Sequence, residues 1–201
     1  MKILYVTDLH GDKSKYRKSL DIAVEKNISI IVNGGDMLPK LGERHLEQPI
    51  FINEFLRGYF SELERNGITY LAMLGNDDLL SVEGLFDTVC GEYENVHNIA
   101  GKKIRVGGYE FIGMNHILDH PFGCKDRVVT ETHYIPQRQP LLSLHGHIHE
   151  SPDTQKGRWI NQIRGTACIQ TGQTELYDND MVYAEIDLQS REYSRKVINV
   201  K

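Results

Sequence analysis

Ile3-Leu4-Tyr5-Val6-Thr7-Asp8-Leu9-His10-Gly11 begins as an unbroken apolar run and ends in an acid and an imidazole two residues apart. A continuous apolar run without alternation marks a strand buried on both faces. If the strand continues through Asp8 and His10, both side chains point to one side. The same figure returns three times. Residues 28–32 run into Asn33-Gly34-Gly35-Asp36, 68–74 into Gly75-Asn76-Asp77-Asp78, and 141–144 into His145-Gly146-His147-Ile148-His149-Glu150. In open α/β sheets, ligands bind beyond the carboxyl ends of the strands. Four such ends carrying Asp, Asn and His would gather hard and borderline donors at one spot, a set suited to a pair of divalent metal ions.

Between the early strands the apolar spacing is helical. A helix is expected over 13–26, with Leu20, Ile22, Ala23 and Val24 on its buried side. A longer one is expected over 48–66, where Phe51, Phe55, Leu56, Tyr59, Phe60 and Leu63 recur at helical spacing. Gly67 reads as its C-terminal cap. This β-α-β-α-β order implies a largely parallel sheet covered by helices. The later half changes character. Segments 102–106 and 109–114 flank Gly107-Gly108, a hairpin signal. Further strands are expected over 167–170, 181–187 and 193–200, the last two joined by a short turn at 188–191. A two-sheet sandwich with helices outside accommodates both halves.

The chain has 201 residues, 40% of them hydrophobic, enough for one well-buried domain spanning 1–201. No repeat, low-complexity tract or linker divides it. The formal net charge is -5 with no Lys/Arg block, which argues against nucleic-acid binding through the phosphate backbone and leaves a nucleotide as a substrate. No segment approaches the apolar length of a membrane span. The first residues are too short and too β-like for a secretory signal. Cys90, Cys124 and Cys168 are odd in number and widely spaced, as expected of reduced thiols in a cytoplasmic protein.

Each cluster alone has an ordinary explanation. An Asp after a strand is commonly a helix cap or turn former, and Asp77-Asp78 also reads as a turn with a cap. Histidines at alternate positions, as at His147 and His149, are more telling. Asp36, after two glycines, is placed to bridge two ions, and Asn76 offers a neutral carbonyl oxygen. Outside these clusters, His145 reads as a strand residue with a backbone partner. Glu150 reads as an acceptor for a ligand histidine or a solvated acid. Lys125 and Arg127 read as partners of nearby acids, and His116 and His120 as loop or surface residues.

In this order, Asp-x-His, Gly-Asp, Gly-Asn-Asp and Gly-His-x-His resemble the motifs of the calcineurin-like metallophosphoesterases. The stretch 138–151, with Pro121-Phe122 and Lys125-Asp126-Arg127, is similar to the Icc-related phosphoesterase branch of that superfamily. The resemblance runs from Asp8 to about Gly172. It implies a four-layer α/β/β/α sandwich of two mixed sheets flanked by helices, and a dinuclear centre. Asp8, His10 and His149 would hold one ion. Asn76 and His147 would help hold the other, with Asp36 bridging. The ions would be Mn²⁺, Fe²⁺/Fe³⁺ or Zn²⁺. The implied activity is metal-dependent hydrolysis of a small phosphodiester or phosphomonoester by metal-bound hydroxide, with Asp36, Asn76, Asp77 and His147 at the reacting centre.

Two features depart from the family. Many members have His directly after the Asn, where this chain has Asp77. The family also places a further metal-binding His and a helix before the Gly-His-x-His strand. Here only a short stretch separates Arg127 from Leu141. His133 is the candidate for that ligand, and its segment reads equally as the tail of the missing helix. The rival expectation is therefore a non-catalytic scaffold on the same fold with an incomplete metal site. A third is a single structural or regulatory metal site on an unrelated α/β fold.

Overall fold

The computed structural model describes residues 1–115, 117–118, 128–129, 139–149, 152, 156–174 and 178–201. The strands β1 (Lys2–Val6), β2 (Ile30–Asn33), β3 (Thr69–Ala72) and β4 (Val96–Asn98) lie side by side and parallel. Two long antiparallel strands, β12 (Asp180–Asp187) and β13 (Glu192–Asn199), extend the sheet on the β1 side. The order is β13-β12-β1-β2-β3-β4. Tyr5 is thus flanked by Val32 on one side and Ala184 on the other, which explains why the first strand is apolar at every position.

Successive residues of β1 face opposite sides. Leu4 and Val6 join the core under the helices, while Ile3 and Tyr5 join a second core beneath a smaller sheet. The helical side is covered by α1 (Lys13–Glu25), a long helix in three pieces, and α4 (Glu83–Cys90). The three pieces are α2 (Arg44–Ile50), a π-helical turn (Phe51–Leu56) and α3 (Arg57–Arg65). Asp12 caps α1 by accepting from the N–H groups of Ser14 and Lys15. Rings dominate this core: Phe60 is fully buried and packs on Tyr59, Tyr70, Phe86 and Tyr93 at centroid separations of 5.6–6.5 Å.

The second core is closed by β9 (Leu142–His145), β10 (Ile160–Ile163) and β11 (Thr166–Gln170), together with the hairpin of β5 (Lys103–Val106) and β6 (Tyr109–Ile112). The three-stranded sheet is mixed, with β11 antiparallel to β10 and parallel to β9. A two-residue pair, Ile117–Leu118 with Val128–Val129, stands apart. The fold is therefore α/β with two mixed sheets face to face, the larger one covered by helices. Among the described residues no helix lies over the far side of the small sheet. No described helix is long and apolar enough to cross a membrane.

Several details differ from the sequence expectation. Val24 is 46% exposed, because the buried stripe of α1 runs through Tyr16, Leu20 and Ala23, and Val24 falls beyond its edge. The long helix starts at Arg44, four residues early, since its first turn is polar and carries no apolar repeat. Pro49 interrupts its hydrogen-bond ladder, and the π turn begins two residues later. The short elements α4, β4 and β10 were not anticipated. Gly67 does end α3 with φ +65°. Cys90 is buried, and burial pushes its thiol up to about 12, as fits a packing role. Expectations for His116, His120, Cys124, Lys125, Arg127, His133 and Glu150 fall outside the described residues.

The ring cluster yields a direct stability test. Phe60→Ala should lower unfolding free energy by about 3–5 kcal/mol in urea titration, the cost of a large cavity. A loss below about 1 kcal/mol would show that Phe60 is not a core residue.

Candidate metal centre

Three of the four motifs lie at the same edge because β1, β2 and β3 are parallel, so their following loops emerge together. Asp8 and His10 follow β1, Asp36 follows β2, and Asn76, Asp77 and Asp78 follow β3. The fourth, with His147 and His149, arrives from β9 in the facing sheet. The strand does not continue through Asp8 and His10 as the spacing implied; β1 ends at Val6. The loop instead zips along its neighbour. The N–H groups of Asp8, His10 and Gly11 donate to the carbonyls of Gly35, Asp36 and Met37 at 2.9–3.0 Å.

Backbone strain is concentrated here. Of nine non-glycine residues with positive φ among the described residues, four are Asp8 (55°), His10 (46°), Asp36 (49°) and His147 (78°). Such conformations persist only where surrounding contacts impose them. Two glycines make the close approach geometrically feasible. A Cβ on Gly75 would collide with the backbone N and Oδ1 of Asp36, and one on Gly146 with Thr7 Oγ1.

The side chains converge. One donor atom each from Asp8, His10 and His149 lies within 4.8 Å of the others, and the same holds for His10, Asp36 and Asp77. His10 Nε2 and His149 Nε2 face each other at 3.1 Å, and His149 Nε2 is 3.7 Å from Asp8 Oδ1. The Asn76 carbonyl oxygen points at Asp36 Oδ2 (3.2 Å) and His147 Nδ1 (2.6 Å). A proton on His147 Nδ1 serves one of these contacts, not both. Turning the amide serves both, and so does a cation among the three acceptors. The backbone N–H of His147 donates to both oxygens of Asp8, at 2.9 and 3.1 Å, and ties the two sheets together.

The electrostatics point the same way. Burial pushes the carboxyl groups of Asp8 and Asp36 above the usual carboxylate range, and for Asp36 the neighbouring charges of Asp8, Asp78 and Asp77 add to it. His10 is pushed down to about 3, by burial first and then by the charges of Lys40 and His149. Its Nδ1 is buried with no hydrogen-bond partner among the described residues, a rare condition for a native polar atom. A neutral imidazole at His10 beside crowded carboxylates is what a divalent cation requires. The donor set of Asp and Asn oxygens with His nitrogens suits such an ion.

Asp77 and Asp78 divide the roles left open for them. Asp78 is fully buried and accepts from the N–H groups of Met37, Leu38 and Gly75 at 2.7–3.0 Å, so it braces the loop that carries Asp36. Asp77 faces the cluster, and its Oδ2 pairs with Lys40 Nζ at 2.8 Å, with Arg44 at 4.0 Å from Oδ1. Sequence reading passed over both cations, although Lys40 lies only four residues after Asp36. It also passed over Gln48, fully buried, whose amide donates to the carbonyls of Pro39 and Asp77 and accepts from Leu79 N–H. Gln173 likewise donates to Thr7 O and accepts from Val182 N–H, while its backbone N–H donates to His149 O. No local signal marks Gln48, whereas Gly172-Gln173 follows a strand and so could line the cleft. His145 has a side-chain partner, the Ser143 hydroxyl at 2.8 Å, rather than the expected backbone one.

No family model matches the chain, and no curated protein sequence matches it. Solved structures do match. TT1561 of Thermus thermophilus superposes with a TM-score of 0.69 at 15% identity, over 100% of this chain and 99% of the other. A novel archaeal phosphodiesterase superposes with a TM-score of 0.60 at 17% identity, over 98% and 100%. YfcE, a phosphoesterase from E. coli, does so with a TM-score of 0.51 at 13% identity, over 100% of both. The chain has the fold of the calcineurin-like metallophosphoesterases.

The site predicts its own dependence on cations and pH. The raised carboxyls of Asp8 and Asp36 hold protons more tightly in the folded than in the unfolded chain. Without metal, their contribution is present at low pH and lost as pH rises through the raised values. A bound cation reverses this loss and competes with the same protons. The increase in Tm on adding a divalent ion should therefore grow from about pH 6 to about pH 8. Asp36→Asn should raise metal-free stability above neutral pH and remove most of the cation-induced shift. A cation shift unchanged in Asp36→Asn would exclude that carboxylate as a ligand.

Proposed function

We propose that this protein is a metal-dependent phosphoester hydrolase acting on small phosphodiesters or phosphomonoesters. The observation that carries the reading is the convergence of donor atoms from Asp8, His10 and His149, and from His10, Asp36 and Asp77, within 4.8 Å of one another, with Asn76 and His147 beside them. In this reading Asp8, His10 and His149 hold one divalent ion. Asn76 and His147 would help hold the second, with Asp36 shared and His133 or no residue as the further ligand. Ions bound there would neutralise phosphoryl charge and make a water acidic enough to attack phosphorus near neutral pH. Mn²⁺ or iron fits the mixed oxygen and nitrogen set, as does Zn²⁺.

The protein's own groups then have distinct tasks. Asp36, braced through Asp78 and by the Asp77 N–H at 2.7 Å, would be held rigidly as a ligand shared by the ions. The strained backbone at Asp8, His10 and His147 aims the ligands inward. Asp77 reads less well as a proton donor. Its carboxylate is engaged with Lys40, and an ionised partner has no proton to give a departing oxygen. Esters whose leaving groups depart without protonation should be the preferred substrates.

Two assays test this. With Mn²⁺ present, bis(p-nitrophenyl) phosphate should be hydrolysed, and Asp36→Asn should lower kcat/KM by about 10²-fold or more. Absence of turnover with every phosphoester tried would favour a non-catalytic scaffold. Nitrophenyl esters should outpace alkyl esters by more than the factor of about 10²–10⁴ that a general acid supplies; equal rates would mean a proton donor operates after all.

A further inference from the structure

Two cations at the rim of the ligand cluster have no part in the chemistry assigned so far. Lys40 Nζ lies 2.8 Å from Asp77 Oδ2, and an Arg44 guanidinium nitrogen lies 4.0 Å from Oδ1. Asp77 in turn offers an oxygen within 4.8 Å of donor atoms of His10 and Asp36. Both cations therefore stand one side chain away from groups that would hold an ion. Their side chains are 36% and 34% exposed, against 10% for Asp77. They reach in from solvent over a buried carboxylate, stems along the surface and charged heads at the rim.

The backbone fixes this placement. The Gln48 amide donates to the carbonyls of Pro39 and Asp77, at 3.0 and 3.1 Å. It thereby holds the residue before Lys40 against the residue that Lys40 meets. Leu38 N–H donates to Asp78, and Asp77 N–H donates to Asp36. The attachment points are rigid, whereas the ammonium sits at the end of a flexible four-carbon stem. A pair open to solvent on the lysine side is a weak tie compared with a doubly charged phosphoryl group. Lys40 can therefore exchange Asp77 for such a group at small cost. Arg44, at 4.0 Å, is beyond hydrogen-bond reach of Asp77 and adds positive charge at the same edge.

We propose that Lys40, supported by the charge of Arg44, binds a non-bridging oxygen of a phosphomonoester and so selects monoesters over diesters. This rests on the hydrolase reading above and narrows the substrate class for it. A monoester near neutral pH carries about two negative charges and three strong acceptor oxygens. With the other oxygens directed at the ligand cluster, the remaining one faces the rim. Lys40 leaves Asp77 and donates a charge-assisted hydrogen bond to it. A diester has one charge fewer and brings an ester oxygen with its organic group to the same place, a poorer acceptor and a bulkier one.

Titration calorimetry of the protein incubated with Mn²⁺ tests this contact without requiring turnover. Inorganic phosphate stands for the monoester and dimethyl phosphate for the diester. Phosphate should bind about tenfold tighter or more. Lys40→Gln, at a position open to solvent, does not endanger folding. It should weaken phosphate by about tenfold and leave dimethyl phosphate within about twofold. Lys40→Arg, which keeps the charge, should recover most of the loss. A phosphate constant unchanged in Lys40→Gln would overturn the proposal. So would equal losses for the two ligands, which would mean that Lys40 only holds Asp77 in place. A protein that hydrolyses nitrophenyl esters without the selective loss keeps the hydrolase reading and loses this one. One that shows the selective loss but hydrolyses no ester keeps the lysine contact and loses the hydrolase reading. If neither is seen, both fall.

Discussion

Crowded carboxylates, an amide and imidazoles meet where the parallel strands end. Asp8 and Asp36 are buried against each other, the Asn76 amide lies between Asp36 and His147, and two imidazole nitrogens face one another at 3.1 Å. Buried polar atoms without partners are costly, and like charges in a low-dielectric setting are costlier still. A divalent cation removes both penalties at once. The strained loops, the glycines without room for a Cβ and the buried glutamines are all arrangements that hold this unfavourable meeting in place.

The bracing is made from neutral amides and one structural acid. Asp78 takes three backbone N–H groups and so fixes the turn beyond Asp36. Gln48 joins the Pro39 segment to the Asp77 turn and to the backbone beyond it, and Gln173 joins the ends of β1, β12 and the His149 loop. Such fully satisfied networks rigidify a site because no member can move without stranding a buried partner. The contact from His147 N–H to Asp8 does the same between sheets. The candidate ligands are therefore positioned by residues that offer no donor to the cluster.

Much of the fold was legible because its signals are local. Continuous apolar runs marked β1, β2 and β3, helical spacing marked the ring-rich helix, and paired glycines marked the β5–β6 hairpin. The elements that escaped notice are short or masked by polar residues: α4 has eight residues, and the first turn of α2 is solvent-facing. In the site, Asp8, His10, Asp36, Asn76, His147 and His149 could be named from residue type and spacing. Lys40, Arg44 and Gln48 could not, since their partners lie 37, 33 and up to 31 residues away in sequence.

The sequence by itself determined that strand ends rich in Asp, Asn and His exist, because residue type and periodicity are properties of contiguous chain. Only the tertiary structure decided how those ends meet. Parallel pairing brings three loops to one edge and the facing sheet supplies the histidines. Left-handed backbone, which no periodicity encodes for Asp or His, turns these side chains toward one another. The division of labour between Asp77 and Asp78 also arose there. Two adjacent and chemically identical carboxylates took different roles because one met three N–H groups and the other met a lysine.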